Sequence, residues 1–201
     1  MFTGEIAGMK RNKVVIGLTG QSGSGKSLVA SYIAQRGIHI IDCDKITHEN
    51  MAVNGIAYGE IVSAFGNTIL NEDLSINRKK LGSIVFSDSK KLELLNSISH
   101  KHIVKRVEDS VKAIEDICVI DAPLLIETGL NRLCSTVWAV VCPLDIRARR
   151  IVERDNISYE DALKRFKNQK DIDFYIKNSD VVIENKGDIS SLKERIEYEI
   201  S

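Results

Sequence analysis

Apolar and polar positions follow one another along the chain in blocks that predict an α/β fold. Five runs are rich in Val and Ile with little polar alternation, which is typical of strands buried on both faces of a parallel sheet. These runs are KVVIGLT (13–19), IHIID (38–42), ICVID (117–121), STVWAVVC (135–142) and DVVIE (180–184). Helical spacing lies between them, as at Val29 and Ile33 before a stop at Gly37. The pattern therefore predicts a five-stranded parallel sheet flanked by helices.

Two segments do not fit this plain alternation. Residues 43–115 have mostly helical spacing and are too long for a simple crossover, so we predict an inserted helical lobe. Residues 143–170 hold two helical stretches rich in Arg and Lys, which we predict to be a lid. The remaining ranges, 13–42, 116–142 and 171–201, would form the core.

The two ends of the chain give smaller predictions. Residues 1–12 are predicted to be a flexible lead-in. Near the C-terminus, Ser191 and Glu194 have the spacing of a capping box before a last helix that carries Leu192 and Ile196.

Composition and charge restrict the classes of function. Apolar residues make up 43% of the chain, charged residues 28%, and the formal net charge is zero, so nothing global favours nucleic acid or an acidic membrane. No apolar run approaches the roughly 20 residues that span a bilayer. The N-terminus has no hydrophobic signal region, and the four cysteines form no CxxC pair. We expect a cytoplasmic protein with reduced cysteines, a monomer or weak homo-oligomer, that binds neither nucleic acid nor membrane.

The first strand runs into a complete phosphate-binding motif, GxxxxGK[ST]. Glycines let backbone N–H groups converge on phosphate oxygens, and the following helix adds its positive N-terminal end. Lys26 is expected to reach the β- and γ-phosphates, and the Ser27 hydroxyl to bind Mg²⁺. The nucleotide-binding residues predicted here are Gly20, Gln21, Ser22, Gly23, Ser24, Gly25, Lys26 and Ser27.

Asp42 and Asp44 end the second strand, at the sheet edge where the phosphate loop also lies. A carboxylate there can orient an acceptor hydroxyl in line with the γ-phosphate and take its proton. Together with the inserted lobe, this predicts a small-molecule kinase. The alternative for Asp44 is that it only caps the next helix.

Arg147, Arg150 and Arg154 fall at i, i+3 and i+7, which places them on one helix face. Three cations in a row suit a polyphosphate whose charge grows in the transition state. The alternative is an exposed face whose arginines pair with Glu153 and Asp155.

Two motifs suggest other functions. NKGD at 185–188 resembles the guanine-reading motif of GTPases, but residues 121–124 read DAPL instead of the DxxG that a GTPase would carry after its third strand. His100 and His102 suggest a metal centre, but positions i and i+2 of a helix do not share a face and no third ligand is suitably spaced. We expect neither a GTPase nor a metal centre built from these histidines.

The ordered motifs resemble the bacterial dephospho-CoA kinase family over nearly all of residues 14–195. They are IGLTGQSGSGKS (16–27), IDCD (41–44), INRKKL (76–81), LNSISH (95–100), PLLIE (123–127) and VIEN (182–185). The resemblance implies a P-loop kinase fold and ATP-dependent phosphorylation of the ribose 3′-hydroxyl of dephospho-CoA, the last step of coenzyme A biosynthesis. A kinase for another small hydroxyl acceptor, such as a nucleoside or nucleotide, stays open as the alternative.

The resemblance also implies roles for individual residues. Asp44 matches the base, Arg154 a lid arginine near the phosphates, and Asn185 a residue near the adenine of ATP. The acceptor would be bound by Asp42, Arg78, His100, Leu124 and Glu127. The chain departs from the family pattern at Gln21, Cys43 and Tyr175, where glycine, alanine and lysine are common. Asp121 could help to hold Mg²⁺ only indirectly, from behind the groups that bind the ion.

Overall fold

The computed structural model describes residues 13–167 and 169–201, so the predicted lead-in at 1–12 lies outside the described residues. Within that part of the chain, five strands form one parallel sheet with the order β2-β3-β1-β4-β5. The strands are β1 (Val15–Gly20), β2 (His39–Asp42), β3 (Cys118–Asp121), β4 (Thr136–Val141) and β5 (Val181–Glu184). The predicted fold class and all five predicted strands are confirmed.

Helices cover both faces of the sheet and build the inserted segments. They are α1 (Lys26–Gln35), α2 (Cys43–Met51), α3 (Tyr58–Phe65), α4 (Arg78–Phe86), α5 (Ser89–Ala113), α6 (Leu144–Asp155), α7 (Tyr159–Phe166), α8 (Ile172–Lys177) and α9 (Ile189–Ile200). No helix among the described residues combines the length and the apolar character that crossing a membrane requires.

The sheet separates two apolar clusters. On one face, Ile33 of α1 and Ile196 of α9 pack against Leu18 and Trp138. On the other face, Val107 of α5 belongs to a cluster with Ile41 and Ile120 of the strands. Each such side chain contributes about 1.5–3 kcal/mol when fully buried, so these clusters fix the sheet edge on which the phosphate loop lies.

The lobe has a small core of its own. Ile61, Ile69, Leu81 and Ile98 are buried there against one another, away from the sheet. In contrast, α2 and the second half of α5 pack on the sheet. The lobe is therefore anchored to the core through two helices, and α5 forms one wall of the space between them.

The ends of two helices show how local sequence fixes the backbone. Helix α1 stops because Gly37 adopts φ 79°, a left-handed conformation that favours glycine. Helix α9 begins behind Asp188, whose carboxylate accepts a hydrogen bond from the Ser190 N–H at 3.0 Å. The predicted capping box at Ser191 and Glu194 is wrong, because the helix starts before Ser191.

Candidate active site

The phosphate loop needs glycine at two positions because its neighbours approach closely. Gly25 has φ 96°, and a Cβ there would lie 2.0 Å from the Asn185 side-chain nitrogen. Gly23 has φ 79°, and a Cβ there would lie 2.8 Å from the Arg147 carbonyl oxygen. Any side chain at either position would push the loop away from the elements that hold it.

The side chains of Asn185 and Arg150 hydrogen-bond to the backbone of the phosphate loop. Asn185, only 3% exposed, donates a hydrogen bond to the Ser24 carbonyl at 2.8 Å. Arg150 donates to the carbonyls of Gly23 and Ser24, each at 3.2 Å, and to Asn185 at 3.1 Å. These contacts fix the orientation of the peptide group between Ser24 and Gly25. Asn185 therefore acts on the loop itself in this structure.

That cavity, the phosphate cavity, has a volume of about 360 Å³. It brings together most of the predicted nucleotide-binding residues with Asp44 and Arg154. The lining residues from the predicted set are Gly20, Gln21, Ser22, Gly23, Gly25, Lys26, Ser27, Asp44 and Arg154. Ser24, the remaining residue of the predicted loop, is fully buried. Pro123, Arg150 and Ile151 complete the lining.

Lys26 forms an ion pair with Asp121 at the floor of the site. Both side chains are nearly buried, at 12% and 10% exposure. Burial raises the pKa of the Asp121 carboxyl, and the nearby Lys26 ammonium offsets only part of that rise. The ion pair thus holds Lys26 at the loop. A bound γ-phosphate would replace Asp121 as the partner of the Lys26 ammonium or share the ammonium with it.

The two acids after β2 have different positions. Asp42 is the N-cap of α2, and its carboxylate accepts a hydrogen bond from the Lys45 N–H at 2.9 Å. Asp44 sits in the first turn of α2 and lines the phosphate cavity. The alternative in which Asp44 is the cap is therefore wrong, and its carboxylate faces the space that a phosphate would occupy.

A second cavity, the lobe cavity, opens between α2, α5 and the segment after β3. It has a volume of about 170 Å³, and its lining includes Cys43, Asp44, His100, Ile103, Pro123 and Leu124. Burial lowers the pKa of His100, so its ring is neutral at pH 7. Burial, with Asp121 and the two flanking aspartates, raises the pKa of Cys43 to about 12. Cys43 therefore acts as a small apolar group.

The predicted row of three arginines is divided by the structure. Arg150 and Arg154 line the phosphate cavity. Arg147 is 3% exposed and ties the lid to the loop, donating to the Ser22 carbonyl at 2.9 Å and to Gln169 at 3.0 Å. The expectation that all three face a polyphosphate is therefore wrong for Arg147.

Arg154 lies at the rim of the phosphate cavity, as the alternative for an exposed arginine anticipated. Its Nε donates to Asp155 at 2.7 Å, and Arg165 pairs with the same carboxylate. The hydrogen bond from Arg154, with the second one from Arg165, lowers the pKa of Asp155 to about 2. The Arg154 side chain remains 64% exposed, so it can turn toward a bound phosphate.

A third cavity, the lid cavity, lies between the phosphate loop, the segment 123–127 and the residues after α7. Its volume is about 400 Å³. It is lined by Gly20, Ser22, Pro123, Leu124, Glu127, Lys167, Gln169, Lys170 and Tyr175. Gln21, at a position where glycine is common in the family, donates to the Lys170 carbonyl at 2.9 Å and fastens this part of the lid.

The three cavities account for most of the predicted acceptor residues. His100 and Leu124 line the lobe cavity, and Leu124 and Glu127 line the lid cavity. Arg78 is exposed at the start of α4 and lies outside all three. Sequence reasoning missed Pro123, the residue that lines all three cavities.

The side chains of NKGD are already engaged in local contacts. Asn185 is bound to the loop, Lys186 pairs with Glu184 at 2.5 Å, and Asp188 caps α9. This geometry does not present a carboxylate to a guanine base, so the motif ends β5 and begins α9.

The histidines do not build a metal centre. His102 bonds Glu60 at 2.9 Å, whereas His100 faces the lobe cavity. Among residues 13–167 and 169–201, no group of three or more His, Cys, Asp or Glu side chains could hold a metal ion.

A model of the dephospho-CoA kinase family, CoaE, matches residues 14–191. The chain belongs to the dephospho-CoA kinase family. Its relatives include the dephospho-CoA kinases of Carboxydothermus hydrogenoformans, 38% identical and covering 90% of each chain, and of Fusobacterium nucleatum, 38% identical and covering 92% of this chain and 95% of the other. The family match covers all five strands and the helical segments between them, so the predicted resemblance is confirmed.

Solved structures agree with this assignment. A dephospho-CoA kinase from Campylobacter jejuni has a TM-score of 0.70 at 25% identity and covers 92% of this chain and 94% of that one. The protein TT1252 from Thermus thermophilus has a TM-score of 0.82 at 26% identity, covering 94% and 97%. A shikimate kinase from Acinetobacter baumannii, with a TM-score of 0.53 at 17% identity and 94% coverage of each chain, shares the fold.

Proposed function

We propose that the protein transfers the γ-phosphate of ATP to the ribose 3′-hydroxyl of dephospho-CoA, giving CoA and ADP in the last step of coenzyme A biosynthesis. The observation that carries the proposal is the position of Asp44, which lines both the phosphate cavity and the lobe cavity. In-line transfer requires the acceptor hydroxyl to be held against the γ-phosphate, and a carboxylate that borders both cavities can hold it there. Membership of the dephospho-CoA kinase family supports the choice of acceptor.

The chemistry follows from the residues around Asp44. The loop amides and Lys26 bind the phosphates of ATP, and Asp44 accepts the proton of the acceptor hydroxyl. A bond forms between the acceptor oxygen and the γ-phosphorus while the bond from that phosphorus to the β–γ bridging oxygen breaks. ADP leaves with the electron pair, and Arg150 and Arg154 stabilise the charge that develops.

The site fits a Mg²⁺ ion carried in with ATP. Ser27 lines the phosphate cavity and offers a hydroxyl oxygen, and oxygen atoms are the ligands that this ion prefers. Mg²⁺ usually keeps several waters and is bound through one or two protein oxygens plus the substrate phosphates, so a larger protein ligand set is not needed. When bound, the ion supplies neutralising charge at the phosphates.

Several features of the proposal rest on the sequence. We propose that 13–42, 116–142 and 171–201 form the nucleotide-binding core, 43–115 the acceptor lobe and 143–170 the lid. Asn185 near the adenine, Asp42 and Arg78 toward the acceptor, and the lead-in at 1–12 stay predictions. So do a monomeric or weakly oligomeric state and a cytoplasmic location.

The product identifies the reaction. ATP, Mg²⁺ and dephospho-CoA are incubated with the protein, and the position of the new phosphate is read by phosphorus NMR and mass spectrometry. We expect a phosphate monoester on the 3′-oxygen of the ribose. A panel of nucleosides and nucleotides, tested in parallel, would reject the proposed acceptor if one of them were phosphorylated with a higher kcat/KM than dephospho-CoA.

A further inference from the structure

Pro123 is the point at which the phosphate, lobe and lid cavities meet. Asp44 lines the first two of them, so a hydroxyl positioned for transfer lies beside this junction. The acceptor proposed above also branches at its reacting ribose. One arm is adenine, and the other is a diphosphate followed by pantetheine. Two cavities lead away from the junction on the acceptor side, one for each arm.

The lobe cavity has the chemistry for the adenine arm. Among its described lining residues are the apolar side chains of Ile103, Leu124 and Leu130, the neutral ring of His100, and no lysine or arginine. A flat base would bury its faces against the apolar walls, and His100 can exchange a hydrogen bond with a ring nitrogen. A diphosphate placed there would lie beside Asp44 without a cation to balance it.

The lid cavity has the chemistry for the diphosphate arm. Lys167 and Lys170 line it, and Arg147 lies behind its wall with a guanidinium whose hydrogen bonds go to neutral groups, the Ser22 carbonyl and the Gln169 amide. A buried cation without a carboxylate partner favours an anion nearby. Burial, with Glu127 nearby, raises the pKa of Tyr175 to about 12, so its hydroxyl keeps its proton and can donate.

Glu127 adds a negative charge to this cavity, which would repel a diphosphate. Three cations, Lys167, Lys170 and Arg147, outnumber it, so the local charge stays positive. Glu127 also borders a further cavity with Arg132 on the other side of its segment. It suits the part of the acceptor beyond the diphosphate, where a hydroxyl and an amide N–H of pantetheine can donate to a carboxylate.

We propose, on the basis of the function proposed above, that the acceptor divides at Pro123, with its adenine beside His100 in the lobe cavity and its diphosphate in the lid cavity against Lys167, Lys170 and the Tyr175 hydroxyl. The diphosphate then connects the lid to the segment after β3. Binding of the acceptor would therefore add to the contacts from Arg147 and Gln21 that already hold the lid on the loop, and help to exclude water from the transfer.

The test compares dephospho-CoA with adenosine, which keeps the adenine and ribose but lacks the diphosphate. In the double variant Lys167→Ala/Lys170→Ala, we expect the ratio of kcat/KM for dephospho-CoA to that for adenosine to fall about tenfold or more, because two charge-assisted contacts are lost. Tyr175→Phe should lower the same ratio about tenfold, the loss expected for one hydrogen bond to a charged group. His100→Ala should lower kcat/KM for both acceptors by a similar factor, because both carry adenine.

A matched control is Lys164→Ala on α7. Its ammonium is exposed and pairs with Asp161 at 2.8 Å, outside the three cavities, so the ratio should not change. The same ratio can be measured without turnover, as dissociation constants determined by calorimetry with a saturating non-hydrolysable ATP analogue. This second readout also shows whether a variant still folds and binds nucleotide.

The outcomes separate this proposal from the function on which it rests. If wild-type protein phosphorylates dephospho-CoA but the double variant keeps the wild-type ratio, the division at Pro123 is wrong and the function stands. A ratio that falls in His100→Ala and not in the lysine variant would place the diphosphate in the lobe cavity. If wild-type protein does not phosphorylate dephospho-CoA at all, both proposals fail.

Discussion

The ion pair between Lys26 and Asp121 should make stability depend on the two residues jointly. Both side chains are nearly buried, and removing one partner of such a pair costs about 3–5 kcal/mol because it leaves an uncompensated charge. The amide in Asp121→Asn can still accept a hydrogen bond from Lys26, so we expect the lower end, about 3 kcal/mol. For a chain of this size that lowers Tm by about 6–12 °C.

Lys26→Met should leave the Asp121 carboxyl without its cation, the opposite of the imbalance in Asp121→Asn. Burial already raises the pKa of Asp121, and without Lys26 the carboxyl takes up a proton in the folded state more readily than in the unfolded state. Because the folded state then binds more protons, its stability falls as the pH rises above the unfolded value near 4. The variant should therefore melt at a higher temperature at pH 5 than at pH 8. Its ATP affinity should also be lost.

The double variant Asp121→Asn/Lys26→Met isolates the interaction. It removes both charges of the pair and leaves neither without its partner, so its loss of stability should be smaller than the sum of the single losses by about 1–3 kcal/mol. Urea unfolding of the four proteins at pH 7 measures this difference. Single losses that add within about 0.5 kcal/mol would refute the reasoning. Saturating ATP should restore part of the loss in Asp121→Asn, because the phosphates supply the missing negative charge.

Three further predictions concern catalysis and nucleotide binding. Asp44→Asn should lower kcat by about 10² or more, with ATP binding retained. Asp42→Asn should keep most of its turnover, because the asparagine side chain can still cap α2. Equal losses of kcat in the two variants would contradict the different roles of the two acids. Arg154→Ala should lower kcat more than it raises the KM for dephospho-CoA, because Arg154 lines the phosphate cavity, and a change in that KM alone would place it with the acceptor. Gly25→Ala should abolish ATP binding in a calorimetric titration, because its Cβ would meet Asn185 at 2.0 Å; wild-type affinity would contradict the loop geometry.

The fold could be predicted from the sequence because buried parallel strands have a simple signature. Leu18 and Val140 lie in the apolar cluster on one face of the sheet and Ile120 in the cluster on the other face. Because both faces are buried, the strands have continuous Val- and Ile-rich runs. The phosphate loop could be predicted for a related reason. Its glycines and its lysine act through the local backbone, so their spacing in the sequence is already their geometry.

The roles of polar residues at the edge of the sheet depended on tertiary placement. Helical spacing puts Arg147, Arg150 and Arg154 on one face of α6. The position of the phosphate loop along that face decides that Arg147 binds Ser22, whereas the other two arginines line the cavity. In the sequence, Asp188 resembles part of a base-reading motif. Only the path of the chain from β5 to α9 shows that Asp188 caps the helix.

The junction at Pro123 was also beyond sequence reasoning. It arises where β3 ends between the phosphate loop, the lobe and the lid, three segments that are distant in the chain. The motif PLLIE marks the segment but does not say which of its residues face which cavity.

The most direct test of the central claim is ADP release from ATP and Mg²⁺, measured with and without dephospho-CoA and with GTP in parallel. We expect ADP only when dephospho-CoA is present, with one CoA formed for each ADP. ADP formation that dephospho-CoA does not stimulate, or GTP hydrolysis without an acceptor, would contradict the claim.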